Sequence, residues 1–265
     1  MGDRPLILIT NDDGIESPGL RAAVEAVYDL GDVLVVAPRD QQSGSSRSFP
    51  PGPVETTRHN MSIRGKRVET FALTSSPATA VRHGLLRFAP RLPDLVISGI
   101  NYGENVGSGI TISGTVGAVL ESASFGIPGL AVSLETEESL HLTHSEEVDF
   151  SVAAVFTRHF AERVLAHGLP TGVDVLKVDI PCDATPATPW RLTRVSRLRY
   201  FQSVVTEDEN GNKQMNGYRR VFSPEAAEPD SDIYALMVER VVSVAPITID
   251  LSAHTDWNAL QALLE

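Results

Sequence analysis

The chain has 265 residues, 42% hydrophobic and 21% charged, enough for one large domain or two small ones around a real core. Its 34 acidic residues outnumber 22 basic ones for a net charge of -12. That excludes a general polyanion binder, since stable nucleic-acid binding needs clustered Lys and Arg, but leaves open a small phosphorylated substrate served by a metal. The lone cysteine, Cys182, excludes an internal disulfide and a thiolate metal cage. No apolar run approaches the roughly 18 residues of a membrane span, and no basic stretch leads into an apolar leader. A soluble, cytoplasmic chain without a membrane partner is expected.

In chain order, Leu6 to Ile9 is an unbroken apolar run, the pattern of a strand buried on both faces. Asn11, Asp12, Asp13 and Gly14 follow, placing two adjacent carboxylates at the strand end. Ser17 and Pro18 predict a helix start with a hydroxyl cap, the helix runs to Leu30, and Gly31 stops it. Asp32 to Ala37 is a second buried strand, completing a β-α-β unit. Pro38 to Pro53 is a long polar loop whose Ser/Gly core favours a functional role over disorder.

Val54 to Thr74 reads as short strands around a turn at Arg64-Gly65, and Ser76-Pro77 predicts a helix to about Phe88. Asp94 to Ser98 is another buried strand. A glycine-rich loop, Gly99 to Gly114, leads into a helix from Thr115 to about Phe125, and Gly129 to Leu134 is the next strand. Glu135 to Glu147 is read as an acidic surface loop, Val148 to Ala166 as an amphipathic helix ended by Gly168, and Val173 to Ile180 as a strand. This alternation is the doubly wound α/β pattern.

Beyond Pro181 the pattern changes. Trp190 to Val205 and Tyr218 to Phe222 predict strands flanking a charged tip, Glu207 to Lys213, with a hairpin signal at Asn210-Gly211. A helix near Ile233 to Val238 and a strand at Val241 to Pro246 follow. A lone hairpin is marginal in water, so it is expected to pack on another subunit; a flap over the active site is the alternative. The chain divides into a metal- and phosphate-binding core (1–190), a hairpin extension that does not fold independently (191–246), and a C-terminal segment packing back on the core (247–265).

Three strand ends present polar groups on one edge of the sheet: Asp12 and Asp13, then Ser43 and Gly44, then Asn101 and Asn105. Open α/β sheets bind ligands there. Two adjacent carboxylates repel unless a cation or water relieves them, although Asn-Asp-Asp-Gly also suits a plain solvated turn. Hard oxygen donors without His or Cys select Mg2+, Mn2+ or Ca2+ over Zn2+ or Cu2+. Ser113, Gly114 and Thr115 open a helix whose free N–H groups suit an anion. The loop before them is not a Walker A motif, and Ser98 lacks the G-x-S-x-G elbow. The seven histidines (His59, His83, His141, His144, His159, His167 and His254) show no ligand spacing and are read as surface or helix-end residues. Cys182 has no basic neighbour in sequence and is read as inert.

Five collinear strings resemble the SurE family, the stationary-phase survival proteins: Thr10-Asn-Asp-Asp-Gly-Ile, Val35-Val-Ala-Pro, Gln42-Ser-Gly, Ser98-Gly-Ile-Asn-Tyr-Gly-Glu-Asn and Ser113-Gly-Thr-Val-Gly. Weaker similarity continues through Thr193-Arg-Val-Ser-Arg and Val242-Ser-Val-Ala-Pro-Ile. The resemblance implies a metal-dependent 5′/3′-nucleotidase with a Rossmann-like core and a C-terminal extension used in dimers and tetramers. It implies one divalent cation per subunit, Mg2+ or Mn2+, held by Asp12, Asp13, Ser43 and Asn101. Arg47 stands where relatives often carry His, Ile112 where Tyr is usual, and Thr79 where Asp is common. These departures bear on substrate preference and leave the metal set whole.

The expected reaction is hydrolysis of a nucleoside 5′- or 3′-monophosphate by an activated water. Asp12 or Asp13 would be the base, and Asn105, Gly44, Ser113, Gly114 and Thr115 would hold phosphate oxygens. The rivals are an aspartyl-phosphate phosphatase, which needs a carboxylate where Asn11 stands, and a phosphate-binding regulator without turnover.

Overall fold

The structure, a computed structural model, describes residues 4–208, 211–253 and 255–265. Asn210 of the expected hairpin turn and His254 therefore lie outside the described residues. The first half contains β1 (Leu6–Thr10), α1 (Pro18–Val27), β2 (Asp32–Pro38), β3 (Thr56–Arg58), β4 (Met61–Ile63), β5 (Lys66–Leu73), α2 (Pro77–His83), β6 (Leu95–Tyr102) and α3 (Gly114–Ala123). The second half contains β7 (Gly129–Leu134), α4 (Ser151–His167), β8 (Val175–Ile180), β9 (Trp190–Leu192), β10 (Phe201–Glu207), β11 (Lys213–Arg220), α5 (Asp232–Met237), β12 (Val242–Ile247) and α6 (Trp257–Leu264).

The main sheet runs β3-β5-β2-β1-β6-β7-β8-β12-β9, and all neighbours from β5 through β8 are parallel. From β1 the chain moves outward to β2 and β5, then returns to place β6, β7 and β8 on the other side. The order therefore reverses between β1 and β6, the crevice where doubly wound sheets bind ligands. Apolar side chains alternate between the two faces. Ile7 and Ile9 meet α1 and α4 on one side, while Leu8 and Val96 meet α2 and α3 on the other. Burial on both faces explains the unbroken apolar runs.

Local signals account for most boundaries. Arg64 and Gly65 both take positive φ (49° and 76°), making the two-residue turn between β4 and β5. Ser76 and Ser113 cap α2 and α3, accepting from the N–H groups of Thr79 (3.2 Å) and Val116 (3.1 Å). At α1 the expected hydroxyl cap is not made. Ser17 Oγ has no hydrogen-bond partner, and Pro18 sets the start instead. Gly31 is not a left-handed stop either; a Cβ there would lie 2.3 Å from the Pro5 carbonyl oxygen, so glycine is needed for close approach. The glycine-rich stretch after Ser98 is partly strand, since β6 continues to Tyr102.

The C-terminal part joins the sheet through β12, antiparallel to β8, with β9 beside it. β10 and β11 form a separate antiparallel hairpin. It stands on a small cluster of Val106, Tyr200, Ala227, Ile233 and Leu236. Beneath that cluster Lys177 is fully buried between Asp179 and Asp232, whose carboxylates also accept the backbone N–H groups of Asn105 (2.7 Å) and Gly107 (3.1 Å). Among its described residues, the segment 247–265 packs back at its beginning, where the Thr248 hydroxyl and Ile249 N–H both donate to Asp174. Every residue of α6 is exposed in the single chain. No helix of the described residues is long and apolar enough to cross a membrane.

Candidate active site

The end of β1 turns sharply because Asn11 uses both ends of its amide on Gly14, donating to its carbonyl (3.0 Å) and accepting its N–H (3.2 Å). This turn leaves Asp12 and Asp13 side by side and buried at the switch point. The loop after β2 wraps around them. Gln42 N–H donates to the Asp12 carbonyl (2.7 Å), a turn closes from Ser45 N–H to Gln42 O (3.1 Å), and Ser43 and Gly44 form its exposed apex. Ser46 fastens the loop onto the segment before α3, bonding to Ile112 O and Thr111 O.

Hydrogen bonds from the surrounding loops anchor both carboxylates. The Thr115 hydroxyl donates to Asp12 Oδ1 at 2.6 Å. Asp13 accepts from Gln41 Nε2 (3.2 Å) and from the Tyr102 backbone N–H (3.3 Å), which brings it beside Asn101. The Asn101 amide nitrogen is committed to the carbonyls of Tyr102 (3.2 Å) and Gly103 (2.6 Å), so its oxygen is the group available to a ligand. Asn105 donates to Ser133 Oγ (2.9 Å) and approaches Thr115 Oγ1 at 3.5 Å. Gly114 faces Asp12 so closely that a Cβ would sit 2.8 Å from both Asp12 Oδ2 and Ser45 Oγ. Ser113 instead turns its hydroxyl to the helix cap.

Burial raises the pKa of Asp12, offset in part by the Thr115 hydrogen bond. Asp13 is pushed well above the usual carboxylate range, first by burial and then by the charge of Asp12. The buried carboxylates elsewhere have cationic partners: Glu121 pairs with Arg47 and Arg82, Glu104 with Arg220, and Asp179 and Asp232 with Lys177. Among the described residues neither Asp12 nor Asp13 has one. Two adjacent buried carboxylates lined by hydroxyl, amide and backbone oxygens fit a hard divalent cation. Glu135, Cys182 and Asp183 also converge. There Arg240 Nη2 already reaches Glu135 (2.7 Å), Asp183 (2.6 Å) and Cys182 Sγ (3.4 Å), filling the position a metal would take.

A scan against family models matches residues 7–202 to SurE, described as survival protein SurE. The chain belongs to the SurE family. It is 44% identical to the 5′-nucleotidase SurE of Thermococcus gammatolerans, over 97% of this chain and 95% of that one. Identity to the 5′-nucleotidase SurE of Thermococcus kodakarensis is 40%, over 97% and 98%. The crystal structure of the SurE protein from Aquifex aeolicus superposes with a TM-score of 0.79 at 29% identity, covering 98% of this chain and 100% of that chain.

Several site neighbours of this SurE chain escape a sequence reading. The acidic stretch after β7 is not simply a surface loop. Within it His144 Nε2 lies 2.7 Å from the Asp13 carbonyl, and the buried His141 accepts the Gln41 amide at its own carbonyl (2.8 Å). The available signal was position, since β7 ends on the same sheet edge as β1 and β6. Arg47 is bound to Glu121 at 2.8 Å, and Thr79 bonds Ser76 at 2.9 Å. Ile112 is exposed. Cys182 does have a basic neighbour, Arg240, yet burial and Glu135 raise its pKa.

Proposed function

We infer that this chain is a metal-dependent 5′-nucleotidase that hydrolyses nucleoside 5′-monophosphates to nucleoside and phosphate, with 3′-monophosphates as further candidate substrates. The observation that carries the reading is the pair of buried carboxylates, without a Lys or Arg partner among the described residues, facing the start of α3, where Gly114 lies against Asp12. Asp12, Asp13, Ser43 and Asn101 would hold one Mg2+ or Mn2+. When bound, that ion supplies a water of lowered pKa and neutralises charge on the phosphate.

The chain's own groups do the rest. Asp12 or Asp13 accepts the proton of the attacking water, whose oxygen bonds to phosphorus as the ester P–O bond breaks. Gly114 and Thr115, at a helix N-terminus, would hold phosphate oxygens together with Asn105, Gly44 and Ser113. Arg47 is tied to Glu121, so the leaving oxygen takes its proton from solvent or from a group other than residue 47.

An aspartyl-phosphate route is disfavoured because residue 11 is an amide already spent on the turn at Gly14. The same proposal makes the protein a cytoplasmic homodimer or homotetramer, with 191–246 as the assembly arm on the 1–190 core. Phosphate release from nucleoside monophosphates, measured with Mn2+, with Mg2+ and with chelator, tests the reading. Metal-dependent release is expected, and none under any metal overturns it.

A further inference from the structure

The base of the β10–β11 hairpin does more than stand beside the site. Arg220, the last residue of β11, directs its guanidinium away from the hairpin and onto the loop that follows β6. Its Nε donates to Glu104 Oε1 (2.8 Å) and its Nη2 to Glu104 Oε2 (3.1 Å) and to the Thr136 carbonyl. Its backbone N–H donates to Glu138 Oε1 at 2.7 Å. Glu104 is fully buried in its side chain and lies one residue from Gly103, whose carbonyl holds the Asn101 amide, and one from Asn105. The guanidinium therefore grips the middle of the span joining the two asparagines.

Two positions earlier, the Tyr218 hydroxyl lies 2.9 Å from His141 Nδ1. The His141 ring packs against Gly103, where a Cβ would approach its Nε2 to 2.5 Å. The His141 carbonyl accepts the Gln41 amide that also donates to Asp13. Hairpin and site thus meet along two routes, one ending at Asn101 and Asn105 and the other at Asp13.

We propose that Arg220 and Tyr218 are positioning residues for the hydrolytic site, so that the hairpin sets metal and substrate affinity through Glu104 and His141. The proposal rests on the phosphohydrolase reading for the identity of the site. It makes whatever moves the hairpin, including subunit association, a regulator of turnover. A planar guanidinium suits the role because it spans both Glu104 oxygens and a carbonyl at once, which a lysine ammonium does not.

A purely structural role for the ion pair is separable by charge. Removing one partner strands a buried charge, whereas removing both relieves it. The double variant Glu104→Gln/Arg220→Met should therefore melt near wild type yet lack the clamp. Mn2+ binding is measured by electron paramagnetic resonance titration of the full chain, beside KM and kcat for a nucleoside monophosphate. The expected result is a Kd for Mn2+ and a KM each raised about tenfold, the scale seen when outer partners of metal ligands are lost. A folded double variant with both values within about twofold of wild type overturns the proposal. Should the double variant not fold, Arg220→Lys carries the same expectation and the same refutation. If wild type releases no phosphate, the hydrolase reading fails and the Mn2+ titrations alone judge the clamp; a wild type that binds no Mn2+ overturns both.

Discussion

Thr115 and Asp12, 103 residues apart, are joined by a 2.6 Å hydrogen bond from hydroxyl to carboxylate. That bond ties the first turn of α3 to the end of β1 and fixes the space between them. Gly114 borders the same space, and a Cβ there would lie 2.7 Å from Asp12 Cβ, closer than packed atoms tolerate. Gly114→Ala is therefore expected to displace either the carboxylate or the helix start. Misplacement by about an ångström costs on the order of a hundredfold in rate. Steady-state hydrolysis beside a melting curve checks it, with kcat/KM falling while the fold persists.

Asp13→Asn tests the metal more directly. In chelator the variant is expected to be at least as stable as wild type, because it removes one of two like charges held out of water. With Mn2+ the order reverses. Wild type gains about 2.7 kcal/mol when free metal stands at a hundred times its Kd, and the variant gains little. Hydrolysis should be abolished. Thermal melts with and without Mn2+ read both effects, and an equal metal-induced rise in the two proteins would refute the assignment.

What the sequence carried, and what it hid, follows from how each contact is made. The Leu6–Ile9 and Gly129–Leu134 runs are strands because burial on both faces demands continuous apolar residues, and such runs are local and readable. Asp12 and Asp13 were legible because strand-end position and charge adjacency are also local. His141, His144 and Glu104 were not. Their roles depend on a loop folding back over 100 residues in chain to Gln41 and Asp13, and on the hairpin reaching back to Glu104. No periodicity records such a contact. Arg47 likewise looked like a change at the site, and only Glu121 at the far side of α3 explains where its charge goes.

His141 gives the fold an acid-sensitive point. Burial depresses its pKa below the ordinary 6.5, helped by Arg220 from the hairpin and opposed by the Thr136 carbonyl, Glu138 and Glu137. Tyr218 faces it with a neutral hydroxyl. The unfolded chain then binds a proton below about pH 6.5 that the folded chain refuses. Stability from this group is present above that pH and is lost as the pH falls toward the depressed folded value. His141→Gln removes the titration, so its stability should decline less between about pH 7.5 and 5.5 than that of wild type. Denaturant melts at the two pH values measure the difference, and parallel declines would refute it.

The last helix poses a problem of its own. α6 is capped by Asp256, which accepts from the N–H groups of Asn258 (2.9 Å) and Ala259 (3.2 Å), yet it has only eight residues. An isolated helix that short is marginal in water unless an apolar face is packed. Its Trp257, Leu263 and Leu264 are 69%, 79% and 79% exposed in the single chain, and Leu251 before them is 92% exposed. Four large apolar side chains left open so close together in sequence are expected to be covered by a second copy of the chain. Sedimentation velocity should find a dimer or tetramer, and Leu263→Asp with Leu264→Asp should shift it toward monomer. The core would survive, because no residue of α6 is buried in it. A wild type that sediments as a monomer at every concentration would leave these side chains exposed and defeat the argument.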